Sequence, residues 1–192
     1  MKLTPWIAAG ALVAATLLTP AANAAGIVNG SFETGDFTGW VPNEVSYPVY
    51  IVTSPVQDGA YAAQIAGYAS GPDTLSQTVA TTLGQTYTLS FWYWQDGGTP
   101  NGFDASWNGT SVFSQVDIAG GTNVAYEHVA VSVVGTGSDL LRFTAYNDPA
   151  FTYVDNVSLS VPEPASWAMM LAGFGGMGMA LRARRRKVAA AA

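Results

Sequence analysis

Cysteine is absent from all 192 residues, which rules out disulfides, thiolate metal sites and a cysteine nucleophile together. Stability must therefore come from packing, with or without the help of a metal. Basic residues are nearly as scarce in the middle of the chain. Between residues 25 and 161 Arg142 stands alone against twelve acids, a formal charge of −11 that the whole-chain value of −6 conceals. Such a segment is repelled by phosphate backbones and has no Lys/Arg stripe to neutralise them, so nucleic acid is excluded as a partner. Divalent cations are the natural electrostatic partners. Histidine occurs once, at His128, and no G-x-S-x-G elbow or other nucleophile motif accompanies it. Composition leaves room for a carboxylate pair of the glycosidase kind, yet no spacing nominates one.

Long apolar runs are confined to the two ends. Met1-Lys2 is followed by an apolar stretch from Trp6 to Leu18 and by Ala22-Asn23-Ala24, the pattern of a secretory signal peptide over residues 1–24. At the other end Pro162-Glu163-Pro164 precedes an apolar segment, Ser166 to Leu181, and the basic group Arg182, Arg184, Arg185, Arg186 and Lys187, with residues 188–192 as a short tail. Sixteen residues as a helix reach only ~24 Å against a hydrocarbon core of ~30 Å, so a span here depends on snorkelling arginines and local thinning, with the basic group on the cytoplasmic side. Four glycines between residues 173 and 178 would weaken a soluble helix but suit a bilayer.

The region 25–161 is long enough for one domain with its own core. It is rich in Thr, Val, Tyr, Phe and Trp, with turn formers at short intervals and no helical period, which predicts an antiparallel β-sandwich. Strands are expected near 27–32, 47–53, 61–66, 74–80, 86–95, 103–107, 111–116, 125–134, 140–146 and 153–160. Asn108-Gly109 is the clearest hairpin signal. In Thr86 to Trp94, alternation puts Tyr87, Leu89, Phe91 and Tyr93 on one face and Thr88, Ser90, Trp92 and Trp94 on the other. The first set reads as core. Trp92 and Trp94, with Trp107 and Tyr146, offer flat rings on which sugars can stack, although such rings also fill sandwich cores. The loop carrying Asp96, Asn101 and Asp104 faintly mimics a calcium loop but lacks the closing bidentate glutamate, and a long hairpin loop accounts for it.

The tail, Pro162-Glu163-Pro164-Ala165-Ser166-Trp167-Ala168-Met169 with its span and basic stop, resembles the PEP-CTERM sorting signal, a region also named after ice-binding proteins. The resemblance implies passage through the inner membrane, transient anchoring there, and processing by an exosortase in an organism that makes exopolysaccharide. It implies a final place in the cell envelope or outside it.

The middle carries Asn29-Gly30-Ser31-Phe32-Glu33 through Gly39-Trp40, then Asp58-Gly59-Ala60-Tyr61, and closes on Asp155-Asn156-Val157-Ser158-Leu159. Together these resemble a galactose-binding-like jelly roll of the carbohydrate-binding-module kind. In several such modules a structural calcium joins the first and last strands. The matching residues here are Glu33 and Asp155, with Asp58 a neighbour, and the same acids can equally be solvated strand ends.

Three functions follow. The first is a non-catalytic surface or matrix protein of the exopolysaccharide layer; the second is a specific glycan-binding module; the third is a cryptic glycoside-active enzyme.

Overall fold

The run Thr-Tyr-Thr-Leu-Ser-Phe-Trp-Tyr-Trp-Gln supplies β-branched and aromatic residues with a period of two, and it forms a ten-residue strand, Thr86–Gln95, whose alternate residues are buried. Tyr87, Leu89, Phe91 and Tyr93 point into the core as expected, and Trp92 and Trp94 lie half-buried on the opposite face. The computed structural model describes residues 26–118, 125–162, 173–175 and 182. The expected signal peptide, Glu163, Pro164, Arg184, Arg185, Arg186, Lys187 and nearly all of the apolar span lie outside these. Among the described residues no helix is long and apolar enough to cross a membrane.

Eleven strands follow one another: β1 Val41–Asn43, β2 Tyr50–Val52, β3 Ala62–Ile65, β4 Gly67–Tyr68, β5 Gly71–Ala80, β6 Thr86–Gln95, β7 Asn101–Trp107, β8 Thr110–Val116, β9 Glu127–Val134, β10 Ser138–Asn147 and β11 Thr152–Ser160. They form two antiparallel sheets. One has the order β1-β5-β10-β7-β8, with β4 paired to β5; the other has the order β2-β3-β11-β6-β9. The jelly-roll sandwich read from the sequence is the observed fold. Its core is a mesh of rings: Phe91 meets Phe103, Phe113 and Phe143 edge-on at 5.1 to 6.0 Å, arrangements that suit the aromatic quadrupole. Trp107 belongs to this core. It is 6% exposed and its indole N–H donates to the Val134 carbonyl at 3.0 Å, so it offers no ring to a ligand.

The expected strand at 27–32 is instead a series of turns. Its backbone groups are answered by a turn of its own, by side chains and by a single bond to β11, not by a strand ladder. Gln77 accepts from the Val28 N–H at 2.7 Å and donates to the Val28 carbonyl at 2.9 Å. Asn29 and Phe32 adopt positive φ, at 49° and 57°. The short strands β1 and β4 carry no sequence pattern of their own and exist because β5 offers both of them a partner.

The Asn108-Gly109 hairpin is as expected. Both residues have positive φ, 52° and 79°, as a two-residue turn between twisted strands requires. Asn108 also accepts from the Leu140 N–H at 2.8 Å and donates to the buried Asp139, which ties the hairpin to β10.

Candidate functional site

The three sequence fragments of the jelly-roll resemblance meet at one corner. Phe32 and Trp40 enter the core side by side, their rings 5.5 Å apart, while the Trp40 indole N–H donates to the Asn29 carbonyl at 3.0 Å. Gly30 lies so close to β11 that a Cβ there would fall 2.0 Å from the Val157 carbonyl oxygen; the Gly30 carbonyl accepts from the Val157 N–H at 2.8 Å. Glu33 Oε1 accepts from the N–H groups of Ala60 and Tyr61 at 2.9 and 3.0 Å. That approach is possible because residue 59 is a glycine: a Cβ would stand 2.3 Å from the same oxygen.

Asp155 holds the other side of the segment. It is fully buried, its Oδ2 accepts from the Gln57 N–H at 2.9 Å and from the Asp58 N–H at 3.4 Å, and its Oδ1 accepts from the Asn156 N–H at 2.7 Å. Burial raises its carboxyl above the usual aspartate range; the backbone N–H groups oppose that rise and the charge on Glu33 adds to it. Glu33 and Asp155 thus hold the two ends of the same segment, whereas Asp58 contributes its backbone and leaves its carboxylate exposed. Among the described residues no three His, Cys, Asp or Glu side chains gather into a group fit for a metal.

Trp92 and Trp94 share the outer face of the β2-β3-β11-β6-β9 sheet. Trp92 packs on His128 at 4.7 Å, and Trp94 stacks on Tyr153 at 5.3 Å and meets Tyr126 at 6.1 Å. Register places Asp155 beside Trp92 and Tyr153 beside Trp94. The segment from Pro55 to Asp58 straps this face, fixed by the Tyr126 hydroxyl donating to the Pro55 carbonyl at 3.1 Å and by Gln57 N–H on Asp155. Burial, then the charge of Asp155, holds the Tyr126 hydroxyl proton more tightly than usual. Here His128 is a packing partner of Trp92.

The outer face of the other sheet is built differently. Register sets Thr74, Thr144, Asp104 and Ser114 in one row across β5, β10, β7 and β8. The next row holds Ser76, Arg142 and Ser106. All these side chains point away from the core, because Leu75, Phe143 and Ala105 point into it. Tyr146 lies over Gly102, and with Thr144, Asp104, Ser114 and Val116 it lines an open trough of about 150 Å³. Ser111 donates to the Asp104 carboxylate. Of this set the sequence singled out only Tyr146 as a ring for stacking and Asp104 as part of a loop; the rest share no motif. Asp104 sits in β7 rather than in a loop, and Asn101 is buried, with its amide N–H₂ donating to the Gly98 carbonyl at 2.5 Å.

The jelly-roll fold agrees with what the chain is similar to. Residues 24–128, more than half of the chain, match the carbohydrate binding domain family. The chain belongs to that family. Residues 160–186 match the PEP-CTERM protein-sorting motif. No curated protein matches the chain. Among solved structures, the fold is similar to that of TmCBM61 in complex with β-1,4-galactotriose, at 20% identity and a TM-score of 0.51, covering 70% of this chain and 96% of that one. The xylan-binding domain from CBM 22 is similar at 13% identity and a TM-score of 0.55, over 72% and 96%. The K3 cleaved adhesin domain of Lys-gingipain from Porphyromonas gingivalis is similar at 14% identity and a TM-score of 0.52, over 70% and 97%. At such identities the likeness concerns the fold alone.

Proposed function

We propose that this chain is an exported, non-catalytic glycan-binding protein of the cell envelope or its exopolysaccharide matrix, delivered to an exosortase by its PEP-CTERM tail. In this reading the glycan lies across the outer face of the β1-β5-β10-β7-β8 sheet. The observation that carries it is the row Thr74, Thr144, Asp104 and Ser114 with Tyr146 beside it. Hydroxyls and a carboxylate spaced by the strand repeat can meet successive sugar hydroxyls, and the tyrosine ring can take the apolar face of a sugar.

A domain of charge −11 favours an uncharged chain over a uronic acid polymer. The structural neighbours named for galactotriose and xylan support the same class of ligand. Against catalysis stands the trough itself, where Asp104 is the one acid among the described lining residues, while glycoside hydrolysis ordinarily uses two.

A structural calcium at Glu33 and Asp155 is part of the proposal. It is supported by two carboxylates, Glu33 and Asp155, that hold one short segment, residues 57 to 61, from either side in a domain of formal charge −11, a repulsion that a dication relieves.

The test is affinity electrophoresis of the full chain and its variants in gels containing neutral polysaccharides, galactan and xylan first. Tyr146→Ala should abolish retardation that Trp92→Ala and Trp94→Ala leave intact. Loss with the two tryptophan variants and retention with Tyr146→Ala would move the site to the opposite sheet.

A further inference from the structure

The outermost strand of a sheet presents a row of backbone N–H and C=O groups with which another chain can pair, and folded domains blunt such edges with short strands, proline, charge or a bulge. Three of the four outermost strands here are blunted in these ways. β1 and β2 have three residues each, with Pro42 in the middle of β1, and β8 is interrupted by a register shift against β7. β9 is not blunted. It ends the β2-β3-β11-β6-β9 sheet, runs for eight residues, Glu127–Val134, and keeps unbroken register with β6 from Tyr93↔Glu127 to Thr86↔Val134. From His128 to Val134 it holds no acid, lysine, arginine, proline or glycine.

β8 ends the other sheet and stands on the same side of the sandwich as β9. Between these two edges Val112, Phe113 and Val131 pack against the core but are only half-buried, so this side of the sandwich is incompletely closed. It is also the side without charge. Residues 110–116 and 128–134 include none of the twelve acids of the domain. Two copies of a domain of charge −11 repel each other wherever their acids meet, and the uncharged side is where a second copy can approach.

We propose that β9 pairs antiparallel with β9 of a second copy of this chain, joining the two β2-β3-β11-β6-β9 sheets into one continuous sheet. A two-fold axis perpendicular to the joined sheet relates the copies, so one surface serves both partners. Antiparallel order is the one that charge allows. Glu127, the only charged residue of β9, then faces the far end of the partner strand, whereas parallel order would set two carboxylates side by side. Residues opposite one another in an antiparallel pair share a face, so Val129, Val131 and Val133 stay on the core side while Ala130 and Ser132 meet on the outside. The same axis keeps both β1-β5-β10-β7-β8 sheets on one side of the joined sheet, and their outer faces open in the same direction. Two glycan contacts on one dimer would hold a matrix far longer than one, although the pairing itself does not depend on what those faces bind.

The test is sedimentation velocity of the full chain in mild detergent over a range of concentrations, beside the double variant Ala130→Lys/Ser132→Lys, whose two positions are exposed. The wild type should form a dimer that tightens as added salt screens the acids. The double variant should raise the dissociation constant about tenfold or more with an unchanged circular dichroism spectrum, and Ser160→Lys, exposed on β11 two strands from the edge, should leave it as it is. Because the chain has no cysteine, Ala130→Cys and Ser132→Cys, alone and mixed, report the register: positions that face each other oxidise to a linked dimer, and Ser160→Cys does not. Three results would overturn the proposal: a monomer at every concentration, a dimer that persists in the lysine variant, or no cross-link in any combination. The second would trace association to the apolar ends, which all the variants share.

Discussion

Tyr146 lies directly over Gly102: a Cβ on residue 102 would fall 2.3 Å from a carbon of the tyrosine ring. The two residues are register partners on β10 and β7, so the missing side chain on one strand is the seat of the ring on the next. Gly102→Ala should swing the ring off its seat. Because the clash is with the far end of a movable side chain, the stability cost should stay under about 1 kcal/mol while polysaccharide retardation falls toward that of Tyr146→Ala. Gel affinity paired with a urea melt checks both halves.

Phe91 is fully buried against three other phenylalanines, and Trp92, its neighbour in sequence, is half-buried on the opposite face. Phe91→Ala should cost about 3–5 kcal/mol, and Trp92→Ala under about 2 kcal/mol. Equal losses in urea unfolding would mean that the strapped face is as much core as the interior.

Asp139 should set part of the acid limit. Burial alone would raise its carboxyl, but hydrogen bonds from Thr81, from Thr136 and from Asn108 outweigh burial and hold it below the usual aspartate range. A lowered folded value means stability that is present above the unfolded value and lost as pH falls through the folded one. Asp139→Asn should therefore cost about 2 kcal/mol near neutral pH, and the gap from wild type should close in strong acid. Asp155, whose carboxyl is raised, should behave with the opposite sign, its contribution being lost as pH rises. Urea midpoints of wild type and Asp139→Asn from pH 7 to pH 2 decide the matter; a gap that widens in acid would contradict the sign.

Calcium should raise the melting temperature. At a hundredfold excess over its dissociation constant, an ion bound only by the folded state adds about 2.7 kcal/mol. The shift between chelator and millimolar calcium should vanish in Glu33→Gln and in Asp155→Asn and should be small with magnesium. An identical shift in wild type and both variants would remove these two acids from any ion site.

The sorted form should lack its tail. Intact mass of the extracellular protein is expected to end near Pro162-Glu163-Pro164, and deletion of Arg182 to Lys187 should disturb retention at the inner membrane. An extracellular form that still carries the arginines would contradict cleavage.

Local chemistry was enough to read the alternation of β6 and the Asn108-Gly109 turn, because each rests on spacing within a few residues, whereas Glu33 and Asp155, more than a hundred positions apart, were paired only by the resemblance to a family of modules. The sorting tail is legible for the first reason: proline, apolar span and basic stop are contiguous. The misread segment at 27–32 shows the limit. Its apolar residues suit a strand, but Gln77, some fifty positions away, answers its backbone. The polar row of Thr74, Thr144, Asp104 and Ser114 is further from reach, since four strands drawn from across the chain must first be set in order and register before these four side chains become neighbours. Strand pairing in this fold is non-local, so the composition of each outer face is a property of the assembled sheets.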